Sequence, residues 1–169
     1  MRKIPICKVC AKTGVLCASC QSKLEDGQVS KLEVELSKAF LELEKKFSEL
    51  KKVSFYKAIE KNDLVILIVG KGDITRIIGE YGKTRKALQD RFNKSFRIIV
   101  KSKNPKKILE DLIAPTPVLG INRIFLPTGE IENKARLSEN HHNKVAIAID
   151  TLENIIYSLT GTHIRIVFE

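Results

Sequence analysis

A chain of 169 residues with 43% hydrophobic and 30% charged side chains has the composition of one or two small globular domains, which excludes a wholly disordered chain. No run reaches the roughly 18 apolar residues of a membrane span, and the opening MRKIPICKVC lacks the apolar core of a secretory signal, so a cytoplasmic, thiol-reducing location is expected. The net charge is +10 and unevenly spread: residues 71–107 hold 12 Lys/Arg against 3 Asp/Glu, whereas residues 108–169 hold 5 against 8, so the middle of the chain is expected to meet a polyanion.

All four cysteines fall within the first twenty residues, in CKVCAKTGVLCASC. Cys7, Cys10, Cys17 and Cys20 form two C-x2-C pairs separated by six residues, and Thr13-Gly14 can turn the second pair back onto the first. Four thiolates are the closed tetrahedral set of a structural zinc, expected here as one ion per chain in a compact knuckle spanning residues 1–29. An iron–sulfur cluster would accept the same ligands. A reducing compartment argues against disulfides. His141, His142 and His163 lie far along the chain, so no histidine is at hand for a catalytic metal.

Ser30-Lys31-Leu32-Glu33 fits a helix capping box. Leu36, Phe40, Leu43, Phe47 and Leu50 follow at alternating spacings of four and three, predicting an amphipathic helix to about Lys52. Residues 53–59 and 64–70 read as strands, the second apolar enough to be buried on both faces, with Asn62-Asp63 turning between them. A short helix capped by Asp73 carries Ile74, Ile77 and Ile78 on one side. Then comes IIGEYGKTRKAL, in which Gly79 and Gly82 interrupt two helical stretches. Glycine costs about 1 kcal/mol against alanine inside a helix, so a pair here marks a functional break. A second helix with Leu88 and Phe92, then a strand over 95–102, complete the run.

The order helix, strand, strand, helix, GxxG, helix, strand over residues 30–104 resembles the KH domain of the second topological type, as in bacterial NusA. The resemblance implies that the GxxG loop clamps the backbone of about four nucleotides of single-stranded RNA. The residue types suit that task, because bare glycines let amide N–H groups and a helix N-terminus approach a phosphate. Arg76, Gly79, Glu80, Tyr81, Gly82, Lys83, Arg85 and Lys86 are the implied RNA-binding residues. Glu80 departs from the pattern, since a carboxylate repels phosphate, and Tyr81 can offset it by stacking.

Pro105, Pro115 and Pro117 mark a short helix followed by a linker. Beyond them two strand-like runs flank Pro127-Thr128-Gly129, a helix is predicted over 143–160 with Gly161 as its cap, and HIRIVFE reads as a last strand. Residues 105–169 thus resemble a smaller, degenerate KH-like ββαβ unit, with ENHHNK in place of the glycine loop. The expected fold class is α+β, with a zinc knuckle, a type II KH domain (α-β-β-α-α-β) and this tail.

Taken together, the knuckle, the basic GxxG unit and the tail resemble the archaeal NusA-like KH-domain proteins. That implies a non-catalytic RNA-binding protein acting in transcription elongation or termination, or on ribosomal RNA. The enzyme reading lacks a P-loop, a zinc-deaminase pattern and a nucleophile elbow. The alternative is a protein–protein adaptor on RNA polymerase or the ribosome with little RNA affinity of its own.

Overall fold

A computed structural model describes residues 3–169, which divide into two compact units, one up to Lys101 and one from Ser102 to Glu169. The fold is mixed α+β, with one three-stranded sheet in each unit. Among the described residues, no helix is long and apolar enough to cross a membrane.

The first unit runs α1 (Lys8–Thr13), α2 (Ala18–Glu25), α3 (Lys31–Leu43), a 3₁₀ turn (Ser48–Lys52), β1 (Phe55–Lys61), β2 (Leu64–Val69), α4 (Ile74–Ile78), a 3₁₀ turn (Glu80–Gly82), α5 (Lys83–Phe92) and β3 (Ser95–Val100). The sheet order is β1-β2-β3, with β1 antiparallel and β3 parallel to β2. Parallel neighbours cannot be joined by a hairpin, so the chain crosses back over the sheet through α4 and α5. That crossover places the two glycines at the joint between its helices. Leu36 and Phe40 of α3, Val65, Leu67 and Val69 of β2, Ile77, Leu88 and Phe96 share one core. Within it the Phe40 and Phe55 rings stack at 4.9 Å. Ile66 and Ile68 are buried too, so β2 is covered on both faces as its composition predicts.

The capping box of α3 forms: Glu33 N donates to Ser30 Oγ at 3.1 Å, and Ser30 N donates to the Glu33 carboxylate at 3.3 Å. The helix ends at Leu43, however, not near Lys52. A turn over residues 44–46 follows, and the backbone changes direction at Phe47 (φ −118°, ψ 87°), where no Gly or Pro marks the break. The following 3₁₀ turn lets Leu50 and Phe47 join the sheet core, which a straight helix would carry them past. α3 also has a second apolar face. Val34 and Leu41 cluster with Ile6, Cys10, Ala11, Cys20 and Val29, so the cysteine knuckle is docked on the helix side facing away from the sheet core.

The second unit runs α6 (Pro105–Ile113), β4 (Val118–Phe125), β5 (Ile131–Leu137), a 3₁₀ turn (Glu139–Lys144), α7 (Ile149–Thr160) and β6 (Ile164–Phe168). Its sheet order is β4-β5-β6, with β4 antiparallel and β6 parallel to β5. The expected hairpin closes through Leu126 N donating to Glu130 O at 2.8 Å, with Gly129 at φ 89°. The expected short helix is α6, which buries Ile108, Leu109, Leu112 and Ile113 and packs on α7 and β4 before a four-residue connection to β4. One expectation is corrected. α7 begins at Ile149 rather than 143, because Val145 and Ala148 have extended backbones (ψ 110° and 142°). Gly161 caps it as expected, at φ 73°.

Candidate metal centre and nucleic-acid interface

Each C-x2-C pair straddles a helix start. Cys7 and Cys17 are the N-cap residues of α1 and α2, and Cys10 and Cys20 sit in the first turns. Gly14, at φ 80°, ends α1 and turns the chain toward the second pair. The four Sγ atoms lie within 4.8 Å of one another. A tetrahedral ion with bonds of about 2.3 Å spaces its sulfurs by about 3.8 Å, so the set could hold one metal ion. The pairs also brace each other: Cys7 N donates to Cys20 Sγ at 3.4 Å and Cys17 N to Cys10 Sγ at 3.1 Å. Amide donors favour thiolate over thiol.

The thiols split accordingly. Cys17 is lowered to about 7, chiefly by the Cys20 amide, and Cys7 is lowered chiefly by the Cys10 amide. Cys10 is raised to about 12: the Cys17 amide pulls it down, but thiol–thiol bonding with Cys7 and burial outweigh that. Cys20 is raised as well, the Cys7 amide opposing burial and the Cys17 thiol. Cys10 and Cys20 are buried while Cys7 and Cys17 are exposed.

At the joint between α4 and α5 the two glycines do different things. Gly79 (φ 75°, ψ 177°) ends α4, its N–H donating to Thr75 O at 3.0 Å. A Cβ there would lie 2.3 Å from Thr84 Oγ1 and 2.9 Å from Thr84 Cβ, and Thr84 is buried. Gly82 (φ 70°, ψ 15°) precedes α5, and a Cβ there would meet nothing within 4 Å. Gly79 is required by close packing as well as by conformation, Gly82 by conformation alone. Between them Tyr81 has a left-handed backbone (φ 54°, ψ 27°), uncommon for a bulky residue, and is 90% exposed. No side chain caps the first N–H groups of α5.

Glu80, Tyr81, Lys83 and Lys86 are exposed around this joint, and Lys71 is exposed ahead of α4. The other cations are engaged. Arg76 pairs with Asp73 at 2.8 Å and lies 3.9 Å from Glu49. Asp73 therefore makes no capping bond: its buried carboxylate accepts from Arg76 and, at 3.1 Å, from Ser54 N. Arg85 donates to Phe96 O at 2.9 Å, away from the joint, and its Nε is buried without a partner. Arg97, which the sequence did not single out, is pushed down by burial and then by the Arg85 charge. Arg91 pairs with Glu42 and Lys94 with Glu60. Thr84 also went unnoticed in the sequence, since nothing there signals that it fills the space beside Gly79.

In the second unit ENHHNK forms the 3₁₀ turn. His142 packs edge-on against Phe168 at 4.5 Å, and His141 Nδ1 is buried without a partner. No histidine belongs to a metal-ligating cluster among the described residues.

No family model matches this chain, and no curated protein matches it. Among solved structures it is similar to one described as "Crystal structure of APE1850", at 21% identity and a TM-score of 0.56, covering 75% of this chain and 96% of that one. The two share a fold.

Proposed function

We propose that this chain is a non-catalytic RNA-binding protein of the NusA-like KH kind, in which the Gly79–Gly82 joint grips the backbone of single-stranded RNA and one structural zinc holds Cys7, Cys10, Cys17 and Cys20. The observation that carries the reading is the joint itself. Two glycines with positive φ lead into a ten-residue helix whose first amides have no side-chain cap, with Lys83 and Lys86 exposed beside them. Amide donors, helix dipole and cations together suit a phosphate. The exposed Tyr81 ring offers a base or sugar a stacking face. The order α3-β1-β2-α4-α5-β3 is the order on which the KH resemblance rests. The zinc reading rests on four thiols with no fifth donor in their cluster, which suits a closed structural site. Ribosomal RNA or a nascent transcript would be the natural partner.

The adaptor reading draws on a specific observation too. Arg76, Arg91 and Lys94 are ion-paired, and Glu80 stands exposed between the glycines, so less free positive charge faces a ligand than the count for residues 71–107 suggests. The exposed Arg91–Glu42 pair holds by only about 0–1 kcal/mol and can open toward a phosphate, whereas Arg76 is held by the buried Asp73 carboxylate. Fluorescence anisotropy with labelled single-stranded RNA and the matching blunt duplex separates the readings. A KH groove receives splayed bases, so the single strand should bind more tightly. Binding to neither favours the adaptor, and equal binding indicates nonspecific charge attraction.

A further inference from the structure

The first unit contains a cleft of about 1080 Å³ that shares no lining residue with the glycine joint. Its walls come from the amino-terminal segment, α1, the end of α3 with the turn after it, the 3₁₀ turn at Lys51 and the start of β1. Lys3, Lys8, Lys12, Lys45 and Lys51 converge on it from separate stretches of chain, and all five are exposed. Among the described residues none of these ammonium groups is in an ion pair. The two lining carboxylates are Glu42, which pairs with Arg91 and also feels the Lys45 charge, and Glu44, which is engaged as well. The half-buried Ile4 and Tyr56 also line it, with Ile6 and Leu41 buried beneath, and Lys101 sits over the Tyr56 ring at 4.3 Å.

We propose that this cleft is a second contact surface for single-stranded RNA, extending the grip of the glycine joint; it rests on the RNA-binding reading above. Unpaired like charges gathered into a concave wall focus a positive potential, which favours a polyanion. Ammonium groups are compact point charges suited to single phosphates. The half-buried Ile4 and Tyr56 side chains beside them offer a base an apolar face, so the cleft supplies both kinds of contact that a single strand uses.

The test uses the full chain, a labelled tetranucleotide and a labelled dodecanucleotide, both single-stranded RNA. A triple variant, Lys8→Ala with Lys12→Ala and Lys45→Ala, removes exposed charge only, and unchanged metal content and circular dichroism verify its fold. It should bind the tetranucleotide like the parent but the dodecanucleotide about tenfold more weakly. Its slope of log affinity against log salt should fall by about 2, from three contacts at about 0.7 each. Unchanged dodecanucleotide affinity and slope would overturn the proposal, as would equal loss on both oligonucleotides. Gly82→Asp separates the two readings: if it affects neither oligonucleotide while the lysine variant weakens the longer one, the joint fails and the cleft stands. Cleft-dependent binding of polyglutamate with no RNA binding would overturn the proposal in favour of an acidic protein partner.

Discussion

The two units of this chain repeat one topology: a helix, two antiparallel strands, a crossover and a third strand parallel to the second. They differ at the crossover. In the first it is helix, glycine joint, helix, in a stretch with 12 Lys/Arg against 3 Asp/Glu; in the second it is the ENHHNK turn and one helix, in a stretch with 5 against 8. The sheet core can be kept while the crossover changes, because the core depends on strand parity and the helix faces alone. A scaffold of this kind does not specify a ligand. The two crossovers differ in joint and in charge, and the RNA-binding proposal rests on that difference.

The largest effect that would sharpen this contrast comes from the metal. Replacing Cys7 and Cys10 by serine should abolish metal binding in elemental analysis, and structural zinc in small domains is worth about 10–16 kcal/mol. Because Val34 and Leu41 of α3 pack on the knuckle, the loss should also lower the melting temperature of the first unit rather than only loosen the knuckle itself. The second unit has no such cluster among the described residues, and its hydrogen-exchange protection should persist. Iron with visible absorbance in the parent protein would contradict the zinc assignment.

Gly79→Ala comes next. Its Cβ would press on Thr84, and with the positive φ the cost should be about 2–4 kcal/mol in denaturant unfolding. Thr84→Ala in the same chain should recover part of it, since the 2.3 Å contact is with the hydroxyl. An aspartate at Gly79 is therefore a poor probe of RNA binding, because it would disturb the fold as well as the phosphate path.

Glu80→Lys should tighten single-stranded RNA binding and steepen the salt slope by about 0.7, one added phosphate contact. The smallest effect is expected in the second unit. His141→Ala with His142→Ala should leave RNA affinity unchanged and cost only about 0.5–1.5 kcal/mol through the lost Phe168 contact. RNA affinity that falls with this pair would break the contrast between the units.

What the sequence disclosed followed local rules. The Ser30 capping box, the apolar run of β2, the turn at Asn62 and the glycines between two helices depend on neighbours a few residues away, and each is found where the pattern places it. What it concealed depended on distant partners. α3 stops at Leu43 because Leu50 and Phe47 are drawn into the sheet core, which no breaker residue announces. Asp73 turns from a cap into a buried acceptor because Ser54 and Arg76 meet it. Arg91 and Lys94 count toward the basic stretch, yet their partners Glu42 and Glu60 lie far back along the chain. The five cleft lysines look scattered for the same reason. The second stripe of α3, Val34 and Leu41 seven apart, was visible but overshadowed by the longer one.

The most direct test of the central claim is the salt dependence of single-stranded RNA binding for the parent protein and Gly82→Asp. Position 82 has open space, and aspartate tolerates a left-handed backbone better than most residues, so the fold should survive with a loss of about 1–2 kcal/mol. A carboxylate would then stand in the phosphate path at the start of α5. The account predicts at least a tenfold loss of affinity and a shallower slope, with the melting transition still cooperative. Affinity and slope equal to the parent's would contradict it, and the joint would be a structural turn and nothing more.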